Sequence, residues 1–545
     1  MRKNLLFIVP PCVAISELMP DENRMFSTKI RKEIPLGVLS LATYIKAYND
    51  ANVYVLDLNL QFYELVSAKL LNEDNSLEKN IYSFIETYKD MDIDFCGISA
   101  IFNPTYGYLE IISRIVRELF PKAVIVAGGG VPSNLMTEVF RDAPCIDIIS
   151  YGEGERAISG FVAAKDEEKY VEESLSLVNS EKLANGYDAQ FEFVEDLDEI
   201  PPLDFTLIEF EKYSNHAHGQ NENEIIAAPL MFSRGCPFNC CFCASHSIHG
   251  KKVRYNSIRR IKSDIEYFVE KHHVNTITVW DDNFFVDKEQ AIELLDFFEQ
   301  LDLAVEFVNG FPVYRVDDDI VKRLKRGGVE VVTLAIESGN PRVLKDIIHK
   351  PLTLEMIPKA IECLERNGLY SKGLFVIGFP GETLEDINET MNFIHQSRLN
   401  WVDIFIAAPL PGSELYDVCK KGNYLKNERL DLGSYTQGNV ETEYFTVDQI
   451  EEIQVYNTIK KDFVNNLDLQ NGQWGRALAN FEYVIKGKHE NPFAYYYAAV
   501  AAGKMNMPKK KEKYFEQYMR IRRHNKVWAN LFQRFIDEGV QFDEE

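Results

Sequence analysis

Residues 228–243 read APLMFSRGCPFNCCFC. A short apolar run ends at Ser233-Arg234-Gly235, and four of the chain's nine cysteines come within the next eight residues. The run has the length and unbroken apolarity of a strand buried on both faces. The cysteines then lie on a loop at that strand's carboxyl end. Cys236, Cys240 and Cys243 stand in CxxxCxxC spacing, and Cys241 breaks it. Three thiolates on one loop suit a soft metal. A structural zinc needs a fourth ligand, which His246 or His249 would supply. The other readings are a disulfide, or an iron–sulfur cluster held by three cysteines with one iron left open. The surrounding sequence decides among them.

The strand-then-helix pattern repeats downstream. Strands are predicted at 228–234, 275–281, 304–309, 330–337, 371–378 and 402–408, with helices between them at 257–272, 287–301, 317–326, 354–367 and 384–397. Six consecutive βα units predict a parallel barrel, closed or nearly so, whose chemistry sits at the carboxyl ends of its strands. Those ends carry the cysteine loop, Asp281-Asp282-Asn283, Asn309-Gly310 with Arg315, Glu337-Ser338-Gly339, Gly378 to Glu382, and Pro409 to Ser413. A solvated strand-end carboxylate would explain Glu337 alone, but the repeated register points to one shared mouth. A structural zinc finger needs no such ring, and no second CxxC is present. The ring favours a cluster whose open iron binds a ligand, by the logic that separates catalytic from structural metal sites.

The first 165 residues alternate in the same way. Strands are predicted at 4–10, 52–58, 94–100, 123–129 and 145–151, with helical stretches at 37–48, 61–89, 105–120 and 133–142. This predicts a doubly wound parallel sheet that binds its ligand outside the strands' carboxyl ends. Pro10-Pro11, Ser99-Ala100, Gly128-Gly129-Gly130 and Tyr151-Gly152-Glu153-Gly154-Glu155 stand there. GEGERA fits a loose dinucleotide fingerprint, but it comes after the fifth strand rather than the first. Residues 166–224 turn acidic and read as a linker with a short strand at Phe191–Val194. From 425 the barrel pattern is gone. An amphipathic helix is predicted at 447–465, and 472–521 resembles a tetratricopeptide helix pair, with Pro492 opening its second helix. Lys509 to Lys511 read as a solvated helix start, and Tyr495 to Tyr497 as packing. The domains are thus expected at 1–165, 166–224, 225–424 and 425–545.

Bulk properties exclude several classes. A net charge of −25 argues against nucleic acid as main partner. No run of about 18 apolar residues can span a bilayer. MRKNLLFIVPPC at the N-terminus reads as a first buried strand rather than a signal peptide, because it lacks a small-residue cleavage site after it. The other five cysteines, Cys12, Cys96, Cys145, Cys363 and Cys419, are scattered, which is no disulfide framework and favours a reducing cytoplasm.

The cysteine triplet, with aromatic Phe242 before its last member, resembles the radical S-adenosylmethionine (SAM) superfamily. IESGNPRVLK (336–345), LFVIGFPGET (374–383) and PLPGSELYD (409–417) agree with it. The resemblance implies a partial (β/α)6 barrel and a four-iron four-sulfur cluster on Cys236, Cys240 and Cys243. SAM would chelate the open iron and be cleaved to a 5′-deoxyadenosyl radical that takes hydrogen from the substrate. It also implies that Phe242 lies beside the adenine and that Glu337 and Ser338 face the ribose or amino-acid part. Asp282, and the turn with Gly378, Pro380 and Glu382, complete the implied SAM site. No side chain is assigned a catalytic role beyond these cofactors.

The N-terminal part is similar to the flavodoxin-like cobalamin-binding domain that precedes this barrel in one large subfamily. IPLGVLSLATYIKA (34–47), GISA (97–100), VAGGGVPS (126–133) and DIISYGEGE (147–155) carry that likeness. It implies a cobalamin site built from Pro11, Leu36, Gly37 and Ser99, from Gly128, Gly129, Gly130 and Val131, and from Tyr151, Gly152, Glu153, Gly154 and Glu155. No histidine precedes His216, so this domain offers no lower axial histidine. The resemblance implies an enzyme that moves a methyl group to an unactivated carbon of a small-molecule, natural-product or peptide substrate. Such an enzyme is served by an electron donor such as flavodoxin or ferredoxin in an anaerobic or reducing cytoplasm. The alternative is a radical rearrangement, cyclisation or oxidation on the same architecture without net methyl transfer. A non-catalytic iron–sulfur or zinc protein with a binding C-terminus is the reading from another class, and the ring of strand ends argues against it.

Overall fold

The computed structural model describes residues 2–18, 30, 32–68, 70–71, 76–213, 225–428, 437–487 and 490–542. In its N-terminal part, β1 (Lys3–Val9), β2 (Ala51–Asp57), β3 (Phe95–Ser99), β4 (Val124–Gly128) and β5 (Ile148–Ser150) form a parallel sheet of order β2-β1-β3-β4-β5. This is the flavodoxin-like order, and its switch point lies where the order reverses beside β1. Helices cover both faces. Leu77–Glu86 and Tyr106–Leu119 bury Ile81, Ile112 and Val116 on one side, while Leu36–Tyr48 and Glu155–Ala163 bury Ala42, Ile45 and Ile158 on the other. The stretch predicted as one long helical region at 61–89 holds two helices, Leu58–Ser67 and Leu77–Glu86.

Two features of the linker differ from the sequence reading. β6 (Leu177–Asn179) adds an antiparallel edge to β5 inside the stretch expected to be linker. Phe191–Val194 forms no strand. Its alternating aromatics serve as a stack instead. Phe191 lies against Tyr151 with ring centroids 4.8 Å apart and against Phe193 at 4.5 Å.

The second sheet begins with β7 (Ala227–Leu230). The cysteine loop after it is flanked by a small antiparallel pair, β8 (Ser233–Arg234) with β9 (Arg254–Tyr255). β10 (Thr276–Val279) and β11 (Ala304–Phe307) pair in parallel next to β7, and β12 (Val331–Glu337), β13 (Tyr370–Ile377) and β14 (Trp401–Ile406) form a second parallel triplet. Phe311 joins the triplets. The chain leaves β11 at Phe307, turns through Asn309-Gly310, and Phe311 donates its amide to Thr333 O (2.6 Å) and accepts from the Ala335 amide (3.0 Å). The result is one open six-stranded barrel of order β7-β10-β11-β12-β13-β14, with helices such as Ile258–His272 and Leu384–Gln396 outside it.

The C-terminal part closes the barrel's open edge. Helix Val447–Ile459 lies along β14, where Gln454 Nε2 donates to Ile404 O (2.9 Å). Asp462, in the widened turn Lys460–Val464, accepts the Val402 amide (3.0 Å). Side chains thus satisfy backbone groups that a seventh strand would have paired. The expected helix pair is the start of a run of four helices, Trp474–Gly487, Pro492–Lys504, Pro508–His524 and Lys526–Asp537. Their shared core holds Tyr495, Tyr496 and Tyr497 with Phe481, Phe493 and Phe532. Lys509 to Lys511 are exposed at the start of the third helix. Among the described residues no helix is long and apolar enough to cross a membrane.

Candidate active site

The cysteine loop is held from both ends. Gly235 has φ +96°, and a Cβ there would stand 2.5 Å from Lys252 O, so only glycine fits the turn into the loop. Its amide donates to Asp282 Oδ2 (2.9 Å), which ties the loop to the end of β10. Asp281, beside it, is buried. It accepts from the Phe232 amide and the Ser233 hydroxyl, and burial pushes its carboxyl up to about 7. Inside the loop the Cys243 amide donates to Cys240 O (3.0 Å). Cys236, Cys240 and Cys243 are half-buried and line one cavity of about 1140 Å3. Burial raises all three thiols, Cys243 to about 11. Cys241 points elsewhere. It is buried in the barrel core, its amide donates to Ile348 O and its carbonyl accepts from Leu415.

The donor set fits a cluster better than a zinc ion. Among the described residues no three histidine, cysteine or acidic side chains converge as the ligands of a single ion do. His246 Nε2 lies 3.0 Å from Cys236 O and His249 Nδ1 lies 2.9 Å from Glu153, so one ring nitrogen of each is already engaged. Three separate thiols on one lip suit a cluster that offers each an iron of its own.

Lining the same cavity, Glu337 ends β12. Its φ is +72°, a left-handed backbone that costs a non-glycine residue about 1–3 kcal/mol. The register of β12 on β13 shifts just before it. Glu337 Oε1 pairs with Lys350 Nζ at 2.9 Å, and both line the cavity. Burial works against the Lys350 charge, but Glu337, and secondarily Cys240, lift the ammonium above its ordinary range. Phe242 and Asp282 line the same space.

Not every expected residue reaches it. Ser338 is fully buried, its hydroxyl 2.9 Å from Thr390 Oγ1, and it does not line the cavity. Gly378, Pro380 and Glu382 also lie outside the lining. Glu382 turns inward, accepts the Gly378 and Phe379 amides at 2.8 and 3.1 Å, and is pushed up to about 8 by burial. Its role in this geometry is to hold the turn.

The cavity extends to the carboxyl ends of the first sheet. Leu36, Gly37, Ser99, Gly128, Gly129, Gly130 and Val131 line it. This wall is a cradle with its side chains removed. A Cβ on Gly37 would meet nothing within 4 Å, and one on Gly128 would find only Ser150, at 3.8 Å. Gly129, at φ +100°, presses so close that a Cβ would stand 2.7 Å from Ala100 O. A bare, partly apolar wall with nearby backbone suits a large flat ligand held by shape. Pro11 and Tyr151 do not reach it.

The remaining expected residues behave differently. Gly152, Glu153, Gly154 and Glu155 border the cavity, but both carboxylates are turned to the barrel. Glu153 meets Arg254, Arg234 and His249, and Glu155 meets Arg234. Burial would raise the Glu153 carboxyl, but Arg234 and its other cationic neighbours hold it far below the usual range. Sequence reasoning missed Lys350, Arg234 and Arg254, and took His249 for a possible zinc ligand rather than a partner of Glu153. Of the three missed, only Arg234 carried a signal, by its place next to the cysteine loop.

Comparison with known proteins agrees with both halves of this cavity. Residues 230–394 match the Radical SAM superfamily and residues 31–162 the B12 binding domain. An uncharacterized methyltransferase of Pyrococcus horikoshii is 27% identical over 420 residues, 77% of this chain and 85% of the relative. A cytidylyl-2-hydroxyethylphosphonate methyltransferase of Streptomyces wedmorensis is 26% identical, covering 74% and 81%. An anaerobic magnesium-protoporphyrin IX monomethyl ester cyclase of Rubrivivax gelatinosus is 27% identical, covering 70% and 65%. The fold matches that of the cobalamin-dependent SAM radical enzyme OxsB, with a TM-score of 0.62 at 14% identity, covering all of this chain and 82% of the other.

Proposed function

We propose, from the premise that this chain belongs to the radical SAM superfamily and carries a B12-binding domain ahead of its barrel, that it is a methyltransferase acting on an unactivated carbon of a small-molecule or natural-product substrate. One observation carries this reading: the three-cysteine lip and the glycine-lined sheet edge face the same cavity. Cys236, Cys240 and Cys243 would hold the cluster. Glu337, with Phe242 and Asp282 near it, would hold SAM beside the open iron, and Lys350 is placed to neutralise a carboxylate there. Gly37, Gly128, Gly129, Gly130, Leu36, Ser99 and Val131 would seat the cobalamin.

When bound, the cluster, SAM and cobalamin supply an electron, a carbon-centred oxidant for C–H bonds and a cobalt-borne methyl group. The chain's own work is placement. Asp282 fixes the cysteine loop through Gly235, and the Glu337–Lys350 pair gives a charged anchor at a strained strand end. The apolar walls, including Phe7, Val9, Phe95 and Phe285, keep water from the reacting atoms. We further propose an external electron donor of the flavodoxin or ferredoxin kind and a reducing cytoplasmic setting, because the reaction consumes electrons that no described residue supplies.

The test is anaerobic reconstitution with iron, sulfide and cobalamin, and then incubation with methyl-labelled SAM and a small-molecule extract. Labelled product together with 5′-deoxyadenosine and S-adenosylhomocysteine is the expected result. The likeness to the magnesium-protoporphyrin cyclase favours a second reading, a radical cyclisation without net methyl transfer. Substrate-dependent 5′-deoxyadenosine with no labelled product would select it.

A further inference from the structure

We propose that the Gly152–Glu155 loop positions the two halves of the cavity relative to each other rather than holding a cofactor itself. The proposal rests on the reading that both halves are loaded during turnover. The residues concerned are Glu153 and Glu155 on one side, and Arg234, Arg254 and His249 on the other.

The geometry is that of a strut. The Glu153 side chain is 3% exposed and its two oxygens are both occupied by cations. Arg254 grips it with both terminal nitrogens, Nη1 to Oε2 at 2.9 Å and Nη2 to Oε1 at 2.5 Å. His249 Nδ1 adds a contact to Oε1 at 2.9 Å, and Arg234 Nη1 lies 3.2 Å from Oε2. Glu155 Oε1 accepts from Arg234 Nη2 and from the Ser40 hydroxyl, each at 2.8 Å. The Glu153 carboxylate, with both oxygens taken, has nothing to offer a ligand. The same atoms are ideal for holding backbone elements at fixed separation.

The partners' positions say what is being held. Arg234 stands two residues before Cys236, and it pairs with Arg254 across the β8–β9 ribbon that flanks the cysteine loop. His249 closes the short helix His246–His249 just after the loop. Arg234, His249 and Arg254 therefore frame the cysteine loop before and after. Ser40 sits one turn into helix Leu36–Tyr48, whose first residues Leu36 and Gly37 line the glycine-rich side of the cavity. A second link runs parallel to the first. Asn134 donates through Nδ2 to both Gly130 O and Ser247 Oγ, at 2.8 Å each, and so ties the glycine edge to the same short helix. Arg254 is also anchored by Val194 O (2.8 Å) and stacks over Phe193, with its guanidinium 4.1 Å from the ring centroid.

Buried ion pairs are poor devices for stability alone, but loss of one partner leaves an uncompensated charge and opens the interface. A reaction that passes a group between two cofactors depends on their separation at the ångström level, where a 1 Å misplacement costs about a hundredfold in rate. A rigid charged strut beside both loops serves that need.

The strut is tested in full-length protein in two ways. In cofactor-free protein, amide hydrogen exchange over residues 130–134 and 246–255 should rise by about a hundredfold in Glu153→Gln, with the barrel strands unchanged. In protein reconstituted with the reduced cluster and cob(II)alamin, pulsed dipolar EPR between the two spins should give one narrow distance in the wild type and a broad or shifted one in the variant. If Glu153→Gln does not fold, Glu155→Gln removes only one of Arg234's partners and should show the same changes at smaller size. Wild-type exchange and distance in a folded variant would overturn the proposal. Faster exchange with an unchanged distance would overturn it too, because the loop would then stabilise without positioning. Absence of any cob(II)alamin signal in the wild type counts against the functional reading alone; the distance is then read between two nitroxide labels, one on each half of the cavity, with the same outcomes.

Discussion

The two walls of the cavity are built by opposite means. The barrel wall is made of side chains: three thiols, a strained glutamate, a buried lysine and an aspartate that clamps a glycine amide. The sheet wall is made of side chains left out, with Gly37, Gly128, Gly129 and Gly130 exposing backbone. In the proposed function the first wall would recognise by ligation and charge, the second by shape. Chemistry that needs specific atoms demands the first kind. A large ligand that brings its own reactive centre demands only room and contour, as the second supplies.

Four substitutions put this contrast at risk. The largest effect is expected at Cys240→Ala, which should lose the cluster and bring 5′-deoxyadenosine formation to background; retained iron and product would refute the ligation side. Next comes Gly129→Ala. The added Cβ meets the Ala100 carbonyl at 2.7 Å on a left-handed backbone, so cobalamin retention should fall at least about tenfold and stability by about 1–3 kcal/mol. Co-purified or reconstituted cobalamin absorbance and a thermal melt read the two effects, and iron content should stay at the wild-type level.

Third is Glu382. Its carboxyl is raised from 4.5 to about 8 in the folded chain, so the folded state holds a proton that the unfolded state has released. The stabilisation is complete below about 4.5 and is lost as pH rises through about 8. Glu382→Gln, which imitates the protonated acid, should flatten that part of the melting-temperature profile between pH 5 and pH 8. An unchanged slope would reject the assignment. The smallest effect is expected at Cys241→Ala: about 1 kcal/mol for a small core truncation, with iron content and 5′-deoxyadenosine formation unchanged. A loss of iron would show that the loop's ligand set had been misread.

The contrast also explains how far the sequence was legible. Apolar runs separated by helical periods revealed both sheets, because a parallel strand buried on both faces leaves an unbroken signature. The cysteine lip was legible because three cysteines close together on a strand-end loop must face one mouth, and they line one cavity. Phe191–Val194 misled because alternating aromatics look the same whether they pair as a strand or stack as rings. β6 was missed because three residues are too few for a period to show. Glu153 and Glu155 sat in a motif at the right sheet edge, and only the fold reveals that their partners are arginines some 80 to 100 residues away. Ser338 and Glu382 stood in the right loops, but the backbone turned their side chains inward, Ser338 to Thr390 of helix Leu384–Gln396 and Glu382 to amides of its own turn.

The closure of β14 has a practical consequence for anyone dividing this protein. Gln454 and Asp462 stand where a neighbouring strand would be, so a fragment ending at the barrel would bare a row of unpaired amides and carbonyls along Trp401–Ile406. Such an edge is a template for joining another molecule of the same fragment. A shortened chain would be expected to come out of expression as aggregates, however sound its active-site residues.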